Sequence, residues 1–196
     1  MSKSILQSIK PQYCELIASG KKTIEVRKTR PKLDVPFKVY IYETVERYKI
    51  SFETTNPCIS VPNGGKITPT QNGYRVEYFA RGKGKVIGEY VCDKIYQYTT
   101  CDFKDGTDID DETMTRLSCL SKSEIESYEL SPGQFGVFAW HISDLKIYDK
   151  PKELSEFRRA CNHENCGKCK RPITEKLSCT AGLNRPPQSW CYVEEV

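Results

Sequence analysis

Long hydrophobic runs are missing from this chain. No stretch of 18 apolar residues occurs in its 196 positions, so the sequence offers no membrane-spanning helix. The opening Met1-Ser2-Lys3-Ser4-Ile5-Leu6 lacks the apolar centre of a secretory signal, and a cytoplasmic protein is expected. A large excess of one sign of charge is missing too. Thirty Lys and Arg against 26 Asp and Glu leave a net +4. That balance is compatible with a nucleic-acid partner but falls far short of a protein that coats DNA. Cysteine is sparse over the first 160 residues, where only Cys14, Cys58, Cys92, Cys101 and Cys119 occur, scattered. Cys14 and Cys92 have apolar neighbours and read as ordinary buried thiols. A chain of this length can bury a core without disulfides, and in a reducing compartment none is expected.

The other five cysteines crowd into the last 36 residues as Cys161-x4-Cys166-x2-Cys169-x9-Cys179-x11-Cys191, with His163 among them. Two thiolates two residues apart, with Gly167 allowing the turn between them, can grip one ion, and zinc takes four S or N donors in a tetrahedron. Lys168, Lys170 and Arg171 would offset thiolate charge. Cys166 and Cys169 form the firm pair. Cys161, Cys179 and Cys191 compete for the remaining places, so the expected ligands are four of these five. Free thiols in a loosely folded tail are the plainer reading. A redox pair lacks the strand-then-helix context it would need. A full donor set makes the zinc structural, which suits a segment too short to build its own core.

The densest chemistry lies near the start, in Gly20-Lys21-Lys22-Thr23-Ile24-Glu25-Val26-Arg27. Pro11 suits the first turn of a helix, and Tyr13, Leu16 and Ile17 recur at helical spacing. Gly20 suits the left-handed position that ends such a helix. A strand is then expected from Thr23. Strand side chains alternate, so Ile24 and Val26 share one face and Thr23, Glu25 and Arg27 the other, with Lys22 at the mouth of that polar row. The plain reading is an ion pair on a solvated face. The sharper one is a cleft for a polar, hydrogen-bonding ligand such as a nucleobase or phosphate.

The pattern Ser8-Ile9-Lys10-Pro11, a short helix, then Gly20-x-Lys22-Thr23-x-Glu25-x-Arg27 resembles the ASCH domain, a relative of the PUA fold. Val39 to Glu43, Gly84 to Glu89 and Phe138 to Ile142 fall where that fold would place later strands. The resemblance covers roughly residues 1–150. It implies an α+β chain built on a small PUA-like β-barrel with short flanking helices and a cleft over the motif. Residues 151–196 would form a zinc-stapled extension packed on that domain. Many members of the family look like RNA- or nucleotide-binding modules, and one branch consists of small amidohydrolases acting on acylated cytidine. In that branch a Lys after the turn activates a Thr nucleophile. Lys22 matches the Lys, but Glu25 stands where the Thr would be two residues after Thr23.

Other segments carry weaker signals. Residues 36–50 read as a strand, and Val39 and Ile41 alternate with Tyr40 and Tyr42. Residues 51–80 hold turn residues such as Asn72-Gly73 and read as an insertion hairpin with Tyr74 to Phe79 as its return strand. Gly84 to Tyr98 reads as core strand. The acids of 102–112 miss calcium-loop spacing and fit the first turn of a helix. Ser121-x-x-Glu124 has the form of a capping box. Phe135 to Ile147 reads as a central strand, with Trp140 in the core and His141 buried and hydrogen-bonded.

The expected function is thus an RNA- or nucleotide-binding module. Lys10, Lys22, Thr23, Glu25 and Arg27 would be its ligand-binding residues. Lys22 and Arg27 would meet a phosphate or base carbonyl, and Glu25 a base amino edge. The alternative is an amidohydrolase acting on a modified nucleoside, with Glu25 as general base and Lys22 polarising the reacting oxygen. A third class, a protein-docking rim, would lack the steep salt dependence of nucleic-acid binding.

Overall fold

The computed structural model describes residues 3–54, 65–100, 108–129, 136–160 and 182–195, except for the side chain of Phe52. Its first strand, β1 (Lys3–Ile9), is buried at every position but Lys3. Ile5, Leu6 and Ile9 are essentially inaccessible, each burial contributing about 2 kcal/mol. β1 lies between β3 (Phe37–Glu43), parallel to it, and β11 (Trp190–Glu194), antiparallel. β7 (Val86–Cys92) and β10 (Ser143–Lys152) extend the β3 side, giving a five-stranded sheet of order β10-β7-β3-β1-β11. Val39 and Ile41 enter one apolar cluster, and Tyr40 and Tyr42 enter another on the opposite face, as the alternation requires.

A second sheet has the order β2-β9-β8, from β2 (Ile24–Arg27), β9 (Val137–His141) and β8 (Ile95–Tyr98). The third is β4-β6-β5, from β4 (Arg47–Thr54), β6 (Gly73–Arg81) and β5 (Lys66–Thr70). Mixed sheets with a few short helices make the chain α+β. The expected barrel is not there: the described strands form three open sheets. Shifts in the β10–β7 register bend that edge without pairing it to a further strand.

Among the described residues three eight-residue helices flank the sheets: α1 (Pro11–Ala18), α2 (Asp111–Ser118) and α3 (Lys122–Glu129). The end of α1 follows its sequence closely. Gly20 takes φ +72°, its N–H bonds Ile17 O, and the N–H of Lys21 bonds Leu16 O, which is a Schellman motif. Asp110 caps α2 by accepting the Thr113 N–H at 2.8 Å, and Ser121 and Glu124 exchange the bonds of a capping box at the start of α3.

Three strand expectations are corrected. The strand of 36–50 breaks at Thr44 to Glu46, where the chain leaves the large sheet for the third one. The strand of 84–98 breaks at Asp93 and Lys94, so β7 and β8 serve different sheets, whereas the hairpin expected within 51–80 is present as β5 and β6, with Tyr74 to Phe79 inside its return strand. The strand of 135–147 breaks at Ile142, whose N–H bonds Thr23 O, so β9 and β10 serve different sheets. β9 is central in its sheet, and Trp140 is fully buried as expected. His141 is half-exposed instead of buried, and its Nδ1 lies 2.6 Å from Asp93 Oδ1.

Candidate functional site

Residues of β1, α1, α2 and the segment before β11 converge on the polar side chains at β2. Its apolar residues Ile24 and Val26 enter a cluster with Tyr98, Met114, Ile125, Val137 and Ala139. That leaves Glu25 and Arg27 on the other face, as alternation demands. They are not solvated: both are 6% exposed, and Lys22 is 2% exposed.

Glu25 sits between two cations. Its Oε1 is 3.0 Å from an Arg27 terminal nitrogen and its Oε2 is 3.3 Å from Lys22 Nζ. The Lys22 ammonium also donates to Ser118 O at 2.7 Å, the last carbonyl of α2, where the helix dipole favours a cation. Its charge lies 5.3 Å from the centre of the Tyr13 ring. Arg27 donates to Ser8 O at 2.7 Å and to Ser189 Oγ at 3.2 Å, so the guanidinium ties β1, β2 and the segment before β11. Two buried atoms of this network have no well-directed hydrogen bond among the described residues, Glu25 Oε2 and Arg27 Nε. Lys22 is close to the first of them but misaligned with it.

These residues line a cleft of about 630 Å³. Lys10, Lys22, Glu25 and Arg27 all reach it, so four of the five expected ligand residues are brought together. Thr23 does not line it. The Thr23 backbone bonds Leu117 O and the Ile142 N–H instead, because the strand begins one residue later than expected. Lys10 stands at the rim, 4.0 Å from Glu46.

The sequence reading missed the aromatic walls. Tyr13 from α1 and Tyr128 from α3 both line the cleft, and Lys28 Nζ lies 4.9 Å from the Tyr128 ring centre. Burial raises the pKa of both phenols. The Glu124 and Glu25 charges add to this at Tyr13, and Arg27 opposes it at Tyr128, where Glu25 again raises it. Both remain neutral hydroxyl donors near pH 7. Ser123, Glu124 and Ser127 of α3 complete that wall, and Gln188 reaches in from far along the chain. The capping box signalled α3, but nothing in its pattern placed the helix over β2.

A sequence profile of the ASCH domain matches residues 8–105. The chain belongs to the ASCH domain family. Its fold is similar to crystal structures of ASCH from Zymomonas mobilis, with TM-score 0.51 at 18% identity, covering 98% of this chain and 88% of that one. For a serine-to-alanine mutant of that protein the TM-score is 0.52 at 18% identity, with 98% and 89% covered. No curated protein matches the chain. In this ASCH domain the motif residues form the floor of the cleft, and α1 and α3 form walls beside it.

Of the expected zinc ligands, Cys161, Cys166, Cys169 and Cys179 lie outside the described residues. Cys191 is a buried free thiol packed with Leu6, Tyr40, Phe157 and Val193, and burial raises its pKa while Arg159 opposes that. Among the described residues no cluster of metal-ligating side chains occurs, and no helix is long and apolar enough to cross a membrane.

Proposed function

We propose that this ASCH domain binds RNA, or a nucleotide from it, in the cleft over β2. One observation carries the reading: the cleft floor sets a carboxylate, Glu25, between two cations, Lys22 and Arg27, beside the rings of Tyr13 and Tyr128. A ligand that carries both a donor and an acceptor on one edge matches such a floor, because hydrogen bonds to charged groups are the strong ones. A nucleobase has such an edge. Tyr13 and Tyr128 suit its flat faces, and a volume of about 630 Å³ is ample for a nucleotide. Lys22 and Arg27 outnumber Glu25 on the floor, which favours an electron-rich ligand. Equilibrium titration with single-stranded RNA tests this. Wild type should bind at low salt and weaken steeply as salt rises, and Glu25→Gln should lose about tenfold in affinity. Absence of binding at low salt refutes it.

The amidohydrolase reading rests on the 3.3 Å approach of Lys22 to Glu25. It requires wild type, and not Lys22→Ala, to release the acyl group from modified nucleosides, read by mass spectrometry.

A structural zinc held by four of the C-terminal cysteines is a separate proposal. The apolar packing of Cys191 points to Cys161, Cys166, Cys169 and Cys179 as the four. Cys166→Ser should then lower the zinc content of the purified protein, and Cys191→Ser should not.

A further inference from the structure

The third sheet has two unlike faces. On the inner one Val76 is 1% exposed and Tyr48, Ile50, Tyr74 and Tyr78 are half-buried. Tyr48 donates to Glu15 of α1 at 2.6 Å, which anchors that face to the core. The outer face follows from the register. Arg47 pairs with Arg81, Lys49 with Phe79, Glu53 with Arg75, and Lys66 with Glu77. All of these side chains but Glu77 are exposed.

Three features of that outer face are unusual for a merely solvated surface. Five cations stand against two carboxylates, Glu53 and Glu77, and these are already engaged, by Arg75 at 3.0 Å and by Lys49. Arg47 and Arg81 face each other across the first rung with no carboxylate partner among the described residues, although like charges directly opposite destabilise a sheet. Phe79, on this polar face, is 57% exposed, and the Arg47 guanidinium lies 5.3 Å from its ring centre. Unpaired guanidinium groups beside an exposed aromatic ring are the components of a surface for single-stranded nucleic acid. Phosphates neutralise the cations and a base stacks on the ring.

The position of this face selects the same ligand. Thr44 and Glu46 line the cleft, and Arg47 follows at once. At the other end of the rung, Arg81 is followed by Gly82, whose N–H bonds Glu46 O. The first rung therefore stands at the cleft rim, and the basic face leads away from it. We propose that the outer face of β4-β6-β5 is a second contact surface for single-stranded RNA, engaging the segment that continues from the nucleotide held in the cleft. This rests on the reading of the cleft as an RNA site.

The test compares wild type with Arg47→Gln/Arg81→Gln and with Phe79→Ala, using a mononucleotide and a single-stranded RNA of about twelve nucleotides, within the ~4–16 that such surfaces cover. The double variant should bind the mononucleotide as wild type does. It should bind the oligonucleotide more weakly, with a log-affinity against log-salt slope shallower by about 1.4, or ~0.7 for each lost phosphate contact. Phe79→Ala should lose about tenfold on the oligonucleotide alone. Without RNA, Arg47→Gln/Arg81→Gln should melt no lower than wild type, because the repulsion is gone. An unchanged slope and affinity in both variants, with wild type still binding RNA, overturns the second surface and leaves the cleft reading standing; the face would then suit an acidic protein. If wild type binds neither probe, both readings fall.

Discussion

Glu25 is the residue on which the site turns. It is the one carboxylate between two buried cations, so its loss leaves Lys22 and Arg27 as uncompensated like charges out of water. Removing one partner of a buried pair costs about 3–5 kcal/mol. Glu25→Ala should therefore lower the unfolding free energy by roughly that amount in denaturant titrations, while Lys10→Ala at the exposed rim should change it by less than about 0.5 kcal/mol. Glu129 makes a separate case. Burial disfavours its charge, yet hydrogen bonds from Thr100, Thr99 and the Gly136 N–H outweigh that and lower its pKa. A carboxyl group lowered on folding contributes stability that is present above its unfolded pKa and lost as pH falls through the folded one. Melting temperature should thus fall as pH drops below about 4.5, and Glu129→Gln should flatten that acid limb while lowering stability at pH 7.

At the scale of elements, two glycines separate two kinds of constraint. Gly20 has φ +72° and open space where a Cβ would go, so Gly20→Ala carries only the left-handed backbone cost, about 1–2 kcal/mol. Gly82 has no such φ, but a Cβ there would meet Thr44 O at 1.8 Å and Pro11 at 2.5 Å. Gly82→Ala must displace backbone between the third sheet and the cleft, and thermal unfolding should rank it well below Gly20→Ala. Only the first of these was legible in the sequence. Local chemistry showed plainly: Pro11 opening α1, Gly20 closing it, the alternation of β2, the cap of α3. Strand breaks did not, because Thr44 to Glu46 and Ile142 carry no turn residues and bend only to satisfy different sheets. The floor of the site was readable because alternation puts Glu25 and Arg27 together. Its walls were not, since Tyr13 and Tyr128 reach one cleft through packing between elements more than a hundred residues apart. β1 was passed over as well, since Ser4, Gln7 and Ser8 interrupt its apolar pattern, yet all three are buried.

Across the whole molecule, β11 binds the end of the described chain to its beginning. Trp190 packs 5.8 Å from Trp140 and donates to Thr29, while the neighbouring Cys191 enters the cluster on the opposite face. Trp190→Ala should lower stability by about 3 kcal/mol, the low end for a tryptophan because the ring is only partly buried. It should also weaken RNA binding, since Ser189 and Gln188 are held by the same strand, and titration of the folded variant reads this directly.

The Arg27–Ser189 bond joins positions 162 residues apart, and the Ser8–Pro187 bond spans 179. A ribosome adding about 5–20 residues each second needs roughly 8–36 s to deliver the second half of each pair after the first. Throughout that interval one edge of β1 has no strand beside it and the guanidinium lacks a hydrogen bond it will later make. Until β11 is made, β1 thus keeps a row of unpaired backbone N–H and C=O groups along one edge, a template on which a strand of another chain can pair.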